Sequence, residues 1–241
     1  MAMGQEPDQA DHGRSPVRAA ATSWRESKWL ILADVTAVGL IFLADQYHWI
    51  KFSKTPYFFV IGCISLWLRK KRWRDVGFRL FRSWRATLGY GVAAGISMEL
   101  FQLLVSQPLL VLLTGQQPDL EQFRPLIGDA KLLLAAGVAV WVLAAFGEEM
   151  VFRGYLMNRV ADLGNRTRLA WIVSLVVVNA LFGLCHGGQG ITGIIDEGFM
   201  GLLLGLIYLG CGRNLAVPIV AHGVQDSVDI VLIFLGKYPG M

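Results

Sequence analysis

Apolar residues occupy long stretches of this chain, and short polar segments separate them. The apolar stretches run over residues 29–44, 56–68, 84–113, 132–160, 169–186, 199–209 and 215–235. A helix needs about 17–25 apolar residues to cross a bilayer. The pattern therefore predicts an all-α, polytopic transmembrane helical bundle of about seven helices. Because the second and sixth stretches are short, a count of six or eight is also compatible with the sequence.

Composition supports a membrane protein. Of 241 residues, 54% are hydrophobic and only 17% are charged, whereas about a quarter of residues are charged in a soluble domain. The net charge of +4 does not indicate nucleic-acid binding, because most basic residues lie in short loops and termini. The cysteines, Cys63, Cys185 and Cys211, lie in apolar segments without CxxC spacing and are interpreted as reduced core residues.

The basic residues predict an orientation. Residues 69–85 carry eight Lys or Arg against one Asp, whereas residues 116–129 carry three acids and one arginine. Loops rich in Lys and Arg stay in the cytoplasm. Arg159, Arg166, Arg168 and Arg213 fall on the same predicted side as the basic loop. We therefore expect a cytoplasmic N-terminus, with residues 1–26 as a disordered cytoplasmic tail.

The first chemical signal is the sequence FGEEMVFRGYL, which interrupts the fourth apolar stretch. Glu149 and Arg153 are four residues apart, so on a helix they share a face and can form an ion pair. Snorkelling of a charge pair to the surface would explain these two residues. It would leave Glu148, which points elsewhere, without a local cation.

Two further stretches place polar residues on apolar helices. In LFGLCHGGQG, Phe182 and His186 are four apart, although a lone histidine there could also be a core residue. The glycine-rich residues 187–198 predict irregular backbone, which membrane proteins tolerate beside a cavity. In HGVQDSVD, His222, Asp226 and Asp229 form one polar stripe that must face protein or water.

Helix rise tests whether these residues can meet. Glu148 lies roughly 16 Å from Arg159, and His222 roughly 13 Å from Arg213, which puts both near the bilayer midplane. His186 lies deeper, roughly 27 Å from Arg168. Tilt, or a helix that starts nearer Ser174, would have to bring His186 to the same depth.

An unpaired glutamate, two histidines and an aspartate suit hydrolysis of a peptide bond. A desolvated glutamate can act as general base on water, and a histidine can position that water. A second histidine and a hydrogen-bonded aspartate can stabilise a developing oxyanion. Two other readings remain open: a zinc protease with Glu148, His186 and His222 as ligands, and a proton-coupled transporter. The sequence offers little support for a cysteine or serine nucleophile.

The stretches EEMVFR, FGLCH and HGVQD fit the ordered motifs EExxxR, FxxxH and HxxxN/D. Over residues 79–234 the chain resembles the CAAX-protease and bacteriocin-processing (CPBP) family of intramembrane glutamate endopeptidases. This family includes the type II CAAX prenyl endopeptidase. The resemblance implies a membrane-embedded endopeptidase that needs no cofactor and acts on peptides or membrane proteins in the lipid bilayer. Some family members are membrane partners or immunity proteins, so a non-catalytic role stays open.

The resemblance also implies roles for individual residues. Glu148 matches the catalytic glutamate, which activates water together with His186. His222 and Asp226 match the positions of oxyanion stabilisation, while the supporting residues are Glu149, Arg153 and Phe182. The eukaryotic form has Asn at the last motif position; an ionised Asp226 cannot donate a hydrogen bond, so Asp226 would have to be protonated or serve to orient His222.

The same resemblance divides the chain. We expect N-terminal membrane helices over residues 27–78, a CPBP-like domain over residues 79–235 and a C-terminal tail over residues 236–241. The compact chain, without extra targeting segments, is closest to prokaryotic members, so the expected location is a prokaryotic plasma membrane.

Overall fold

A computed structural model describes residues 24–50 and 53–241. Most of the predicted tail, residues 1–23, lies outside this described part. The described chain is helical and contains no strand. Its main helices are α1 (Lys28–Gln46), α2 (Thr55–Leu68), α3 (Trp84–Thr114), α4 (Ala130–Leu163), α5 (Arg168–Leu184), α6 (Gly190–Gly210) and α7 (Ala216–Phe234).

The predicted all-α membrane bundle is confirmed. Five helices are long and apolar enough to cross a membrane, and α2 and α5 are shorter apolar helices. Polar residues begin several of them: the side chains of Ser27, Ser83, Asp129 and Thr167 each accept a hydrogen bond from a backbone N–H of the first turn. These caps satisfy donors that the helix cannot satisfy itself.

Two predicted boundaries are wrong. The sixth span begins at Gly190 rather than residue 199, so most of the glycine-rich stretch is helical. Packing explains this: a Cβ added at Gly183 would clash with the backbone of α6, and one at Gly198 would lie 3.4 Å from the carbonyl oxygen of Asn179. The glycines therefore serve close contact between α5 and α6. The fifth span ends at Leu184, so His186 follows the helix instead of closing it.

Small residues also bring α3 and α7 together. Cβ atoms added at Gly91 and Gly95 would lie 2.5 Å from the Val220 Cβ and from the Ala221 carbonyl oxygen. The two helices thus approach as closely as their backbones allow. The larger apolar core gathers α1, α2, α4, α5 and α6 around Phe58, Phe152, Met157 and Tyr208.

Helix α4 is not a regular α-helix along its whole length. Residues Val140–Leu156 are π-helical, and a single π-helical segment, Gln102–Ser106, interrupts α3. A π-helix bonds residue i to i+5, is rare, and occurs mostly as single-turn bulges inside α-helices, frequently at functional sites. The sequence predicted a continuous α-helix here.

The helices run alternately, so the connections collect at two ends of the bundle. We call one of them the basic end. There, the Leu215 N–H donates to the carbonyl oxygen of Gly77, and Arg25 Nε donates to the carbonyl oxygen of Leu68. At the other, the cavity end, Lys54 Nζ donates to the Cys185 carbonyl oxygen, and Gly128 N–H to that of Phe234.

Candidate active site

A cavity of about 370 Å³ lies between α3, α4, α6 and α7. All four predicted catalytic residues line it: Glu148, His186, His222 and Asp226. Asp229, the third member of the α7 stripe, lines it too. The structure therefore brings together the polar faces of helices that are far apart in sequence.

The supporting pair Glu149–Arg153 lies beside this cavity, in the protein interior. Arg153 Nη1 donates to Glu149 Oε1 at 2.7 Å, and both side chains are 0% exposed. Arg153 Nη2 also donates to Asn179 Oδ1 at 3.0 Å and to the Gly201 carbonyl oxygen at 2.7 Å. The predicted ion pair is confirmed, and it links α4 with α5 and α6.

His222 is held from both sides. Its Nδ1 lies 2.9 Å from Glu149 Oε1, and its Nε2 lies 3.4 Å from Asp226 Oδ2. A proton on Nδ1 lets the ring donate to the Glu149 carboxylate, which fixes the orientation of the imidazole. The side chains Arg153, Glu149, His222 and Asp226 thus form a continuous polar chain that ends in the cavity.

Glu148 differs from its neighbour Glu149 in exposure and in the partners of its carboxyl group. It is half-buried, lines the cavity, and does not occur among the ion pairs within the described residues. Glu149 uses one oxygen for Arg153 and His222 and has no exposed surface. Of these two carboxyl groups, Glu148 is the one that water in the cavity can reach.

His186 reaches the cavity by a route that the sequence did not predict. It lies in the turn after α5, and its Nδ1 is 2.9 Å from the carbonyl oxygen of Phe182. An Nδ1–H that donates to this oxygen leaves Nε2 as an acceptor. The imidazole stands at the cavity end of the bundle, so the cavity extends from the depth of Glu148 toward that end.

Phe182 lies between the two histidines and the buried arginine. Its ring centroid is 4.8 Å from that of His186 and 6.2 Å from that of His222, and the Arg153 guanidinium lies 4.7 Å from it. These contacts hold both imidazoles at the edge of an apolar core. The Arg153 guanidinium lies over one face of the Phe182 ring, which adds a cation–π contact.

Comparison with known proteins bears on this arrangement. Residues 130–228 match the family described as type II CAAX prenyl endopeptidase Rce1-like. We call these residues the Rce1-like domain, after the family that they are similar to. This domain spans α4 to most of α7, which is less than half of the chain, and it includes all the predicted site residues. It is consistent with the CPBP family, and it supports a membrane-embedded protease of the CAAX-protease type. No curated protein and no solved structure matches the chain.

Sequence reasoning missed several polar residues of the Rce1-like domain. Asp196 and Glu197 of α6 line the cavity. Asp196 accepts hydrogen bonds from Gln102 and Ser106 of the π-helical segment of α3, and Gln102 in turn bonds to Gln225 of α7. The glycine-rich stretch was expected to form a cavity wall, and it does, but as a helix. Recognising that helix would have brought these acids into view.

The residue types in the cavity also permit a metal site, so the next question is whether their side chains are arranged to hold a metal ion. Within residues 24–50 and 53–241, no group of three His, Cys, Asp or Glu side chains is arranged to hold a metal ion. Glu148, His186 and His222 share the cavity of the Rce1-like domain without forming such a group. The zinc alternative therefore rests on residue types alone.

Proposed function

We propose that this protein is an intramembrane endopeptidase that hydrolyses peptide bonds of membrane-associated peptides or proteins with a glutamate-activated water. One observation carries the proposal: Glu148 is an accessible carboxyl group without an ion pair to any described residue, in one cavity with His186 and His222. The neighbouring Glu149 is fixed by Arg153 and has no access to water. The Rce1-like match supports the reaction class.

The reaction follows from these positions. The Glu148 carboxylate removes a proton from a water molecule that the free Nε2 of His186 orients. The water oxygen attacks the peptide carbonyl carbon, and the carbonyl oxygen takes up the negative charge. When the C–N bond breaks, the proton held by Glu148 passes to the leaving nitrogen. The products are a carboxylic acid and an amine, and no covalent enzyme intermediate forms.

His222 is the donor to the developing oxyanion. The Glu149 carboxylate accepts from Nδ1–H, and when the ring is protonated on both nitrogens its Nε2–H also donates, in the direction of the cavity, where Asp226 is its present neighbour at 3.4 Å. That distance is longer than a good hydrogen bond, so a substrate oxygen can replace the carboxylate. In this scheme Asp226 orients His222 and does not donate to the substrate.

The cavity favours a cationic peptide. Five carboxyl groups line it, from Glu148, Asp196, Glu197, Asp226 and Asp229, and no Lys or Arg does so within the described chain. A low-dielectric pocket lined by acids concentrates positive charge. Substrates with Lys or Arg near the cleaved bond are therefore expected to enter most readily.

The side from which substrate enters follows from charge and chain direction. Part of the cavity wall lies at the cavity end of the bundle and is formed by Pro118, Leu120, Phe123 and Tyr238. The loops over residues 69–85 and the basic residues near Arg166 and Arg213 all lie at the opposite end. Under the positive-inside rule, the basic end is cytoplasmic. We infer that in a prokaryotic plasma membrane the cavity opens outward, so that secreted or externally exposed segments, not cytoplasmic prenylated tails, are the substrates.

The test is cleavage by a Glu148→Gln variant. Purified full-length protein in detergent is given a library of quenched fluorescent peptides that differ in basic and acidic residues, and products are identified by mass spectrometry. The amide of Gln cannot remove a proton, so we expect cleavage to fall at least about a hundredfold, with the melting temperature unchanged. Full cleavage by Glu148→Gln would end the general-base assignment.

Glu121→Gln is the matched control, because Glu121 is an exposed acid that pairs only with Arg124. It should cleave like the wild type. An excess of a chelator separates the zinc alternative: lasting loss of cleavage that added zinc restores would favour a metalloprotease. If the folded wild type cleaves no peptide of the library, the role of a membrane partner becomes the better explanation.

A further inference from the structure

A second cavity, of about 470 Å³, lies at the basic end of the bundle, far from the catalytic groups. Six basic side chains line it: Arg25, Arg69, Lys70, Lys71, Arg159 and Arg166. They come from the start of α1, the end of α2 and the end of α4. The first two of these helices lie outside the Rce1-like match, and α4 lies within it.

Two of the basic residues, Arg159 near the end of α4 and Arg69 directly after α2, are buried, which is unusual for basic residues that only set orientation. Arg159 is 1% exposed, and its Nη2 lies 2.8 Å from Asp162. Its Nε has no hydrogen-bond acceptor among the described residues. Arg69 is 7% exposed and pairs with Asp34 at 2.7 Å. A buried guanidinium with an unsatisfied donor is costly unless a ligand completes it.

The cavity carries more positive charge than the described residues neutralise. Among them, Asp162 is the only acid in the cavity wall, and it already contacts both Arg159 and Arg166. Lys70 and Lys71 have no ion pair within the described chain. Burial, followed by the charge of Arg159, lowers the pKa of the Lys71 ammonium group. An anion in the cavity would relieve this repulsion.

We propose that this cavity binds a phosphate group, supplied by the headgroup of an anionic lipid. Arginine guanidinium groups bind phosphate through two parallel hydrogen bonds, and lysines add charge. The cavity stands at the end of α2, next to exposed Trp24 and Trp67. Exposed tryptophans mark the headgroup level of a membrane, so a lipid phosphate is at the right depth.

A bound phosphate would connect the two parts of the chain. Arg69 and Lys71 follow α2, and Arg159 and Arg166 belong to the end of α4 and the turn after it. A ligand that binds only the folded protein raises its stability. The site therefore holds the N-terminal helices against the Rce1-like domain, and this role does not depend on proteolysis.

Binding is tested with purified full-length protein in a neutral detergent, by following its melting temperature. Phosphatidylglycerol, phosphatidylcholine and inorganic phosphate are titrated separately. Phosphatidylglycerol should raise the melting temperature by several degrees and phosphatidylcholine should not. If inorganic phosphate produces the same shift, the site recognises the phosphate group itself and free phosphate is a competing source. Equal effects of the two lipids, or no effect of any ligand, would overturn the proposal.

Variants test whether phosphatidylglycerol acts at this cavity. Lys71→Gln with Arg166→Gln should weaken the response to phosphatidylglycerol by roughly tenfold or more in concentration, because two charged hydrogen bonds are lost. The control pair, Arg124→Gln with Lys131→Gln, removes the same charge from exposed positions at the cavity end and should respond like the wild type. If the first double variant unfolds at too low a temperature for the titration, the single variant Lys71→Gln is titrated instead. A response that no variant changes would refute this location.

Discussion

Glu148 and Glu149 are neighbours in sequence with different surroundings. Glu149 is fully buried, accepts from Arg153 and contacts His222, whereas Glu148 faces a cavity and has no ion pair among the described residues. One carboxyl group is thus held by its ion pair, and the other is open to the cavity. Under the proposed mechanism the two glutamates of the motif EExxxR therefore have different roles.

The buried pair allows a prediction on stability. Arg153→Ala leaves Glu149 as an uncompensated buried charge and removes the bonds to Asn179 and Gly201, so it should cost about 3–5 kcal/mol of unfolding free energy. The double variant Arg153→Met with Glu149→Gln removes both charges and should recover part of this loss. Unfolding in detergent by a graded denaturant measures both variants.

Arg124→Ala is the control for this prediction. Arg124 forms an i,i+3 pair with Glu121 in which both side chains are about two-thirds exposed, and loss of an exposed pair costs about 0–1 kcal/mol. If Arg153→Ala is no less stable than Arg124→Ala, the Glu149–Arg153 pair does not support the fold.

At the scale of elements, the contact between α3 and α7 sets the position of His222. Gly91 and Gly95 lie against Val220 and Ala221, directly before the histidine. Glycine is needed because a methyl group would meet backbone or a branched side chain, not the flexible end of a long one. The spacing of α3 and α7 therefore controls how His222 meets the carboxylate of Glu149.

Gly95→Ala tests this contact. Its Cβ would lie 2.5 Å from the Ala221 carbonyl oxygen, so overpacking should cost about 1–3 kcal/mol and reduce cleavage by shifting His222. Gly89→Ala is the control in the same helix, because a Cβ there meets nothing within 4 Å. Its helix propensity should make it neutral or slightly stabilising. Equal melting temperatures for the two variants would contradict the close approach.

For the whole molecule, the decisive property is the direction of the cavity relative to the basic end. The two ends are built from different connections: one from the loops near residues 69–83 and 211–215, the other from residues 115–129 and 235–241. Charge separates them as well, since the basic loops collect at the end opposite the cavity that Glu148 and the two histidines line.

Cysteine labelling of intact cells measures this orientation. After Cys63, Cys185 and Cys211 are replaced by Ser, a single cysteine is introduced by Gln117→Cys at the cavity end or by Arg74→Cys at the basic end; both positions are exposed. A membrane-impermeant maleimide should label Gln117→Cys on intact cells. It should label Arg74→Cys only after permeabilisation. The reverse pattern would place the cavity on the cytoplasmic side and make cytoplasmic tails accessible to it.

The sequence by itself determined the fold class and indicated part of the candidate site. Apolar stretches of membrane length require helices, because the bilayer offers no water to satisfy backbone groups. Polar residues inside such stretches must face protein or a wet cavity, and this is how Glu148, His222 and Asp226 became visible. The Glu149–Arg153 pair followed from its spacing of four, which is a local property of one helix.

Only the tertiary structure decided the details that depend on contacts between helices. The π-helical course of Val140–Leu156 could not be predicted, because nearly every position before the motif is apolar and no periodicity distinguishes the two helix types. The helical start of α6 depends on close packing of Gly183 and Gly198. Arg153 contacts Asn179 and Gly201 of two other helices, and Arg159 and Lys71 line one cavity from α4 and from the turn after α2. Such contacts join residues distant in the chain, so no local pattern encodes them.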